Sequence, residues 1–196
     1  MEKQQMSMPS FSSLSADQRR VYNLYKANGA HLGQQFFHDF IADKLRSGGP
    51  LPAPWEAEAK IMDSVIELGS SGGDLVLFRA TFDDFVARFV ENDIYRYPTY
   101  MSTSTDRSAL ERHWSGGAGR TPVLLEINCR GGTHMIDGEL NLGHGGYEAE
   151  MILGRGSSFQ ILSQKNITEQ AEIVAAMGTF YSRDVTLLRT YEIAYL

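Results

Sequence analysis

At Gly72 the hydrophobic pattern of this chain changes period, and that change constrains the fold class more than any single motif. Before it, apolar residues recur at helical spacing in three groups: Val21, Tyr22, Leu24 and Tyr25; Phe36, Phe37, Phe40, Ile41 and Leu45; Ile61, Met62, Val65, Ile66 and Leu68. Ser15 with Gln18 three residues on reads as a capping box opening the first helix, and Asn28-Gly29 closes it. Ser47-Gly48-Gly49-Pro50 ends the second, and a Pro-rich turn through Pro54 leads into the third, over 55–68. After Gly72, short apolar runs alternate with Gly, Asp and Asn punctuation. They predict strands near 75–79, 100–104, 122–128, 133–136, 148–153, 158–162 and 185–194, with brief helices over 82–90 and 107–114. Helices first and strands afterwards indicate an α+β fold, because a doubly wound sheet needs the two to alternate.

The chain has 196 residues and is 42% hydrophobic, enough for one domain over 14–196. The Ser-rich segment 1–13 lacks periodicity and is expected to be flexible. A net charge of −6 excludes the dense basic surface needed to neutralise duplex nucleic acid. Cys129 is the single cysteine, so neither a disulfide framework nor a Cys-rich metal site is available. The five histidines lack zinc-enzyme spacing, and no metal is expected. The first residues carry no apolar signal segment and no run spans a membrane, so any export uses another signal or a partner machine.

Three motifs carry chemistry. Arg79 ends the run Leu75-Val76-Leu77-Phe78, placing a permanently charged fork at the end of a buried strand. A diphosphate would satisfy it through paired charge-assisted bonds, and a structural carboxylate is the alternative. In Tyr100-Met101-Ser102-Thr103-Ser104-Thr105, strand alternation sends Ser102 and Ser104 to one face and Thr103 to the other. No Gly-x-Ser-x-Gly elbow surrounds Ser102, so its hydroxyl reads as an orienting group rather than a nucleophile. In Tyr147-Glu148-Ala149-Glu150, a strand starting at Glu148 would bring both acids to one face, about 7 Å apart. Their repulsion would be relieved by an arriving cation; a solvated edge-strand face is the alternative. Gly154-Arg155-Gly156 opens a strand instead of a helix and is no dinucleotide fingerprint.

Taken in order, the strand-end arginine, the aromatic-x-Ser-Thr-Ser stretch and Glu-x-Glu followed by an apolar strand and Gly-x-x-Phe (Gly156 to Phe159) resemble the Arg-Ser-Glu mono-ADP-ribosyltransferases, which include cholera-toxin-like bacterial toxins and arginine-specific ectoenzymes. The likeness runs from about Asp43 to Leu162, with Leu45-Arg46-Ser47-Gly48 similar to the family's Leu-Arg-x-Gly. It implies two roughly perpendicular antiparallel sheets with an NAD cleft between them and helices alongside. The sequence departs from the family at Ile41-Ala42-Asp43, where an Ile-Asn context is frequent, and at Ala80, where glycine is more frequent.

The resemblance also implies roles. Glu150 corresponds to the catalytic glutamate, held by Ser102 and stabilising positive charge on the ribose as nicotinamide leaves. Arg79 would grip NAD, with Ala80, Thr103 and Ser104 beside it and Trp114 stacked on the nicotinamide or packed in the core. Glu148 would engage the acceptor, and Tyr147 would contact the target protein. A glutamate at position 148 implies arginine as acceptor, because family members with glutamine there tend to modify asparagine. NAD is then a substrate, and the partner is a target protein carrying an arginine, with room for a cognate immunity protein. A monomeric toxin or effector is expected, secreted or injected without a cleavable signal peptide and acting in the target cell cytoplasm. The alternatives are NAD hydrolysis, modification of a nucleic acid or of another side chain, and an inactive binding module with the same fold.

Overall fold

A computed structural model of the chain describes residues 6–26, 36–114, 119–140 and 149–196. Helix α1 (Ala16–Lys26) opens with the expected box: the Ser15 amide donates to Gln18 Oε1 at 2.9 Å and the Gln18 amide to Ser15 Oγ at 3.2 Å. Two otherwise orphaned donors are thereby satisfied. Helix α2 (Phe37–Arg46) buries Phe37 and Ile41 and ends before Gly48, whose φ of +76° suits a residue without Cβ. Helix α3 (Ala53–Ile66) starts in the Pro-rich turn and buries Trp55, Ala59, Met62, Val65 and Ile66. Phe40 stacks on Trp55 with ring centroids 4.1 Å apart, joining α2 to α3.

The strands are β1 (Leu75–Phe82), β2 (Val90–Glu91), β3 (Ile94–Arg96), β4 (Met101–Ser104), β5 (Pro122–Cys129), β6 (Met135–Asp137), β7 (Glu150–Leu153), β8 (Ser158–Ile167) and β9 (Leu188–Tyr195). Short helices α4 (Asp83–Ala87) and α5 (Gln170–Met177) and a 3₁₀ segment (Arg107–Trp114) complete the chain. The α+β class holds. Hydrogen bonding links all nine strands in the order β2-β3-β8-β9-β5-β1-β4-β7-β6, where two separate sheets were expected. One pair, β5 with β9, is parallel, which corrects the all-antiparallel expectation. The link between the halves is narrow. β1 pairs with β5 over its full length but with β4 only at Phe78↔Ser104, so two sheet segments meet at a single pair and part beyond it.

Each face of this curled sheet has its own core. Leu77, Tyr95, Tyr97, Met101, Leu125, Ile127, Met151 and Phe159 fill one. Helices α1 to α3 cover Tyr100, Ile136 and Ile152 on the β4-β7-β6 half. The 3₁₀ segment and α5 cover Leu124 and Leu188 on the other half. Residues 6–13, expected to be flexible, are tied down: Ser7 and Ser70 exchange backbone hydrogen bonds of 3.0 and 2.9 Å, and Phe11 packs edge-on to Tyr22. No helix among the described residues is long and apolar enough to cross a membrane.

Candidate active site

Where β1 and β4 part, three expected residues come together. Glu150 opens β7, lies opposite Ser104, and is 7% exposed. Ser102 Oγ donates to Glu150 Oε1 at 2.5 Å. Arg79 Nη1 donates to the Ser102 carbonyl at 2.5 Å, bridging the strands just past their last paired residues. A carboxylate on one row, a hydroxyl fixing it and a guanidinium across the seam thus form a preorganised polar cluster. The cleft is lined by Arg79, Ala80, Ser102, Thr103, Ser104 and Glu150, together with His113 and with Leu110, which the sequence did not single out.

The three hydroxyls differ in role. Thr103 points to the opposite face, as alternation requires, and its Oγ1 donates to the Met151 carbonyl at 2.7 Å. Ser104 Oγ accepts from the Asp106 amide at 3.0 Å and steadies the turn into the 3₁₀ segment. Of the three hydroxyls, that of Ser102 bonds the Glu150 carboxylate. Trp114 is not brought to the Glu150 cluster. It is 4% exposed and packs with Leu124, Met177 and Leu188, at the wall of a separate and roomier cavity that Phe82, Arg120 and Tyr181 also line.

The expected start of this strand at Glu148 is corrected. Ala149 has φ +47°, in the left-handed region that L-residues rarely adopt, so the strand begins at Glu150. The alternation argued to carry both acids to one face therefore stops there. Glu148 and Tyr147 lie outside the described residues.

Two features were missed or only half read. Tyr97, buried beneath the cleft, accepts from Arg46 Nη2 at 2.7 Å and from Arg79 Nη2 at 3.2 Å. Both guanidiniums also face its ring, at 5.3 Å for Arg79 and 5.7 Å for Arg46. Burial alone would push the Tyr97 phenol up, yet the charges of Arg79 and Arg46, with the Arg46 hydrogen bond, hold it below the usual tyrosine range. Neither guanidinium has a carboxylate partner among the described residues, and the Nε atoms of both are buried without a hydrogen bond. Lys26, the last residue of α1, forms an ion pair with Glu150 Oε2, which no local pattern announced. No group of three or more His, Cys, Asp or Glu among the described residues is arranged to hold a metal.

The fold has relatives among solved structures. Plx2a, an ADP-ribosyltransferase toxin from Paenibacillus larvae, shares the fold with a TM-score of 0.64 at 16% identity over 94% of this chain and 88% of that one. BECa, an ADP-ribosylating toxin of a C. perfringens binary enterotoxin crystallised with NADH, gives 0.64 at 12% over 95% of this chain and 45% of that one. The ADP-ribosyltransferase Vis from Vibrio splendidus, in complex with agmatine, gives 0.63 at 16% over 95% and 77%. No curated protein matches the chain by sequence. A family model does: the ADP-ribosyltransferase exoenzyme model matches residues 61–180, more than half of the chain and a stretch that holds Arg79, Ser102 and Glu150. By that match the chain belongs to the ADP-ribosyltransferase exoenzyme family.

Proposed function

We propose that this protein breaks the nicotinamide–ribose bond of NAD and transfers the ADP-ribose to an arginine of a target protein. The observation carrying this reading is a buried, hydroxyl-anchored carboxylate in one cleft with Arg79, whose guanidinium shares the Tyr97 hydroxyl with Arg46, both guanidiniums lacking a carboxylate of their own among the described residues. Family membership supplies the reaction class. A diphosphate fits the Arg46–Arg79 pair because it brings two negative charges and several acceptors to donors now left unmatched.

In this reading Arg79 and Arg46 hold the diphosphate, and Ser102 keeps Glu150 in one orientation. Glu150 faces the sugar, where positive charge develops as the glycosidic bond breaks and nicotinamide leaves with the bonding electrons. A carboxylate about 4 Å from that charge, at an effective dielectric near 20, stabilises it by roughly 4 kcal/mol, about three decades of rate. The acceptor guanidinium then forms the new C–N bond, and Glu148 takes its proton as the bond forms. Prior deprotonation is disfavoured by an arginine pKa above about 12. A carboxylate at position 148 and the agmatine complex of Vis, whose ligand carries a guanidinium, support arginine as acceptor. Residues 14–196 act as one catalytic domain, delivered by secretion or injection and working as a monomer in the target cytoplasm.

Incubating the protein with labelled NAD and cell lysate is expected to label a protein, and Glu150→Gln is expected to abolish both labelling and nicotinamide release. Wild-type labelling by Glu150→Gln would overturn the role of Glu150. Mass spectrometry that found adducts only off arginine would overturn the acceptor.

A further inference from the structure

We infer that Lys26 is a positioning residue that holds the Glu150 carboxylate from the α1 side while the cleft side of that carboxylate faces substrate. The inference rests on the reading of Glu150 given above. A lysine in the last turn of a helix ordinarily complements the helix dipole from solvent. Lys26 does not: its side chain is 16% exposed and ion-pairs with Glu150, whose side chain is 9% exposed.

The carboxylate is enclosed by different elements on its different sides. Oε1 takes the Ser102 hydroxyl and Oε2 takes the Lys26 ammonium. Gly138 lies so close that a Cβ there would sit 2.1 Å from Oε2, leaving no room for the carboxylate to swing that way. Lys26 reaches Glu150 from α1, whereas the described lining of the cleft comes from β1, β4, the 3₁₀ segment and Glu150 itself. Asp137, half-buried at the end of β6, is a second acid close enough to feel the Lys26 charge. Burial raises the Asp137 carboxyl above its ordinary range, against the hydrogen bond from the Glu139 amide; the charges of Glu139 and Glu150 add to the rise, and that of Lys26 opposes it.

Helix α1 is itself held in place. Gln18 Nε2 donates to Ser64 Oγ of α3 at 3.1 Å, and buried Tyr22 donates to the Asp137 carbonyl at 2.9 Å and accepts from the Leu140 amide at 3.0 Å. The helix thus delivers its terminal ammonium to a fixed point. Removing that ammonium would leave the Glu150 carboxylate without its cation and free to leave its productive orientation.

The test uses purified full-length protein with NAD alone, reading nicotinamide release, and a double-variant cycle of thermal stability. Lys26→Met keeps the apolar stem and is expected to lower kcat at least tenfold, with KM for NAD changed less than about threefold, since a misplacement of about 1 Å in a reacting group costs up to 100-fold. Lys26→Arg is expected to recover most of the loss. In the cycle, Lys26→Met with Glu150→Gln is expected to lose less stability than the two single losses added. Wild-type kcat in Lys26→Met, or additive stability losses, overturns the inference while a dead Glu150→Gln leaves the functional reading intact. Turnover that survives Glu150→Gln defeats that reading, and the inference with it.

Discussion

Tyr97→Phe tests the cationic pair most directly, because it deletes one oxygen and keeps the ring under both guanidiniums. That oxygen accepts from Arg46 at 2.7 Å and Arg79 at 3.2 Å. Each donor left without a partner costs about 1–3 kcal/mol, and because both arginines are only partly buried, water reduces the cost to the lower end. A total near 2 kcal/mol lowers Tm by about 4–8 °C in a chain of this size. The ring–guanidinium contacts survive, so the loss reports the oxygen and not packing. A second signature is independent of melting. The other tyrosines with resolved shifts, Tyr22, Tyr25, Tyr95, Tyr100 and Tyr191, are all raised by burial, whereas Tyr97 is lowered. An alkaline titration followed by phenolate absorbance is therefore expected to show an early component in the wild type that Tyr97→Phe lacks. Because the folded-state value lies below the unfolded one, near 10, this ionisation stabilises the wild type increasingly as pH rises through the folded value. It contributes fully above the unfolded value and is lost as pH falls back through the folded value. An unchanged Tm, together with an early phenol that persists in the variant, refutes the shared-acceptor reasoning.

Ser102→Ala removes the bond to Glu150 Oε1 and is expected to lower kcat for nicotinamide release about 10- to 100-fold, matching a charge-assisted bond of roughly 1.5–3 kcal/mol; steady-state kinetics against NAD measures it. Arg155→Met breaks the clamp between the β7–β8 turn and α3, where the guanidinium bonds Glu56 at 2.8 and 2.9 Å and Asp63 at 2.8–3.1 Å. All three side chains are about a third exposed or less, so a loss of roughly 2–3 kcal/mol is expected by denaturant titration, below the range for a fully buried pair. The Arg155 hydrogen bond holds Glu56 below the ordinary carboxylate range, so the wild-type advantage from that pair is present above the unfolded value and disappears as pH falls through the lowered one.

Local rules made much of this legible. The Ser15–Gln18 box, the helix stripes and the Ser102/Thr103 alternation depend on neighbours within four residues, and each is realised. What failed depends on contacts distant in sequence or on weak local signals. Helix α5 is short, lacks a side-chain cap at Glu169, and is stabilised by burying Ile173, Ala176 and Met177 against the sheet. The β2–β3 hairpin turns on Asn92 and Asp93, both at positive φ, just beyond the helix predicted over 82–90 and in a stretch where no strand was predicted. Lys26 meets an acid 124 positions away, and Tyr97 joins arginines from a helix and a strand; no spacing rule encodes either meeting.

The reason three separated motifs converge lies in strand register. Ser104 stands opposite both Phe78 of β1 and Glu150 of β7, so one row across three strands sets the positions of Arg79, Ser102 and Glu150 together. A slip of one residue between β4 and its neighbours would turn Ser102 toward the apolar core that Met101 and Thr103 face and carry its hydroxyl away from Glu150. The apolar alternation of Met101, Met151 and Leu153 opposes that slip, because it would send these buried side chains out of their core. Fold and chemistry are therefore held by the same constraint: the burial that fixes the row also fixes the carboxylate. The ladder opens past Phe78↔Ser104, and the Arg79 guanidinium, rather than a further backbone pair, joins the strands there. The narrow link that leaves this sheet nearly divided is thus where the cleft lined by Arg79, Ser102 and Glu150 lies.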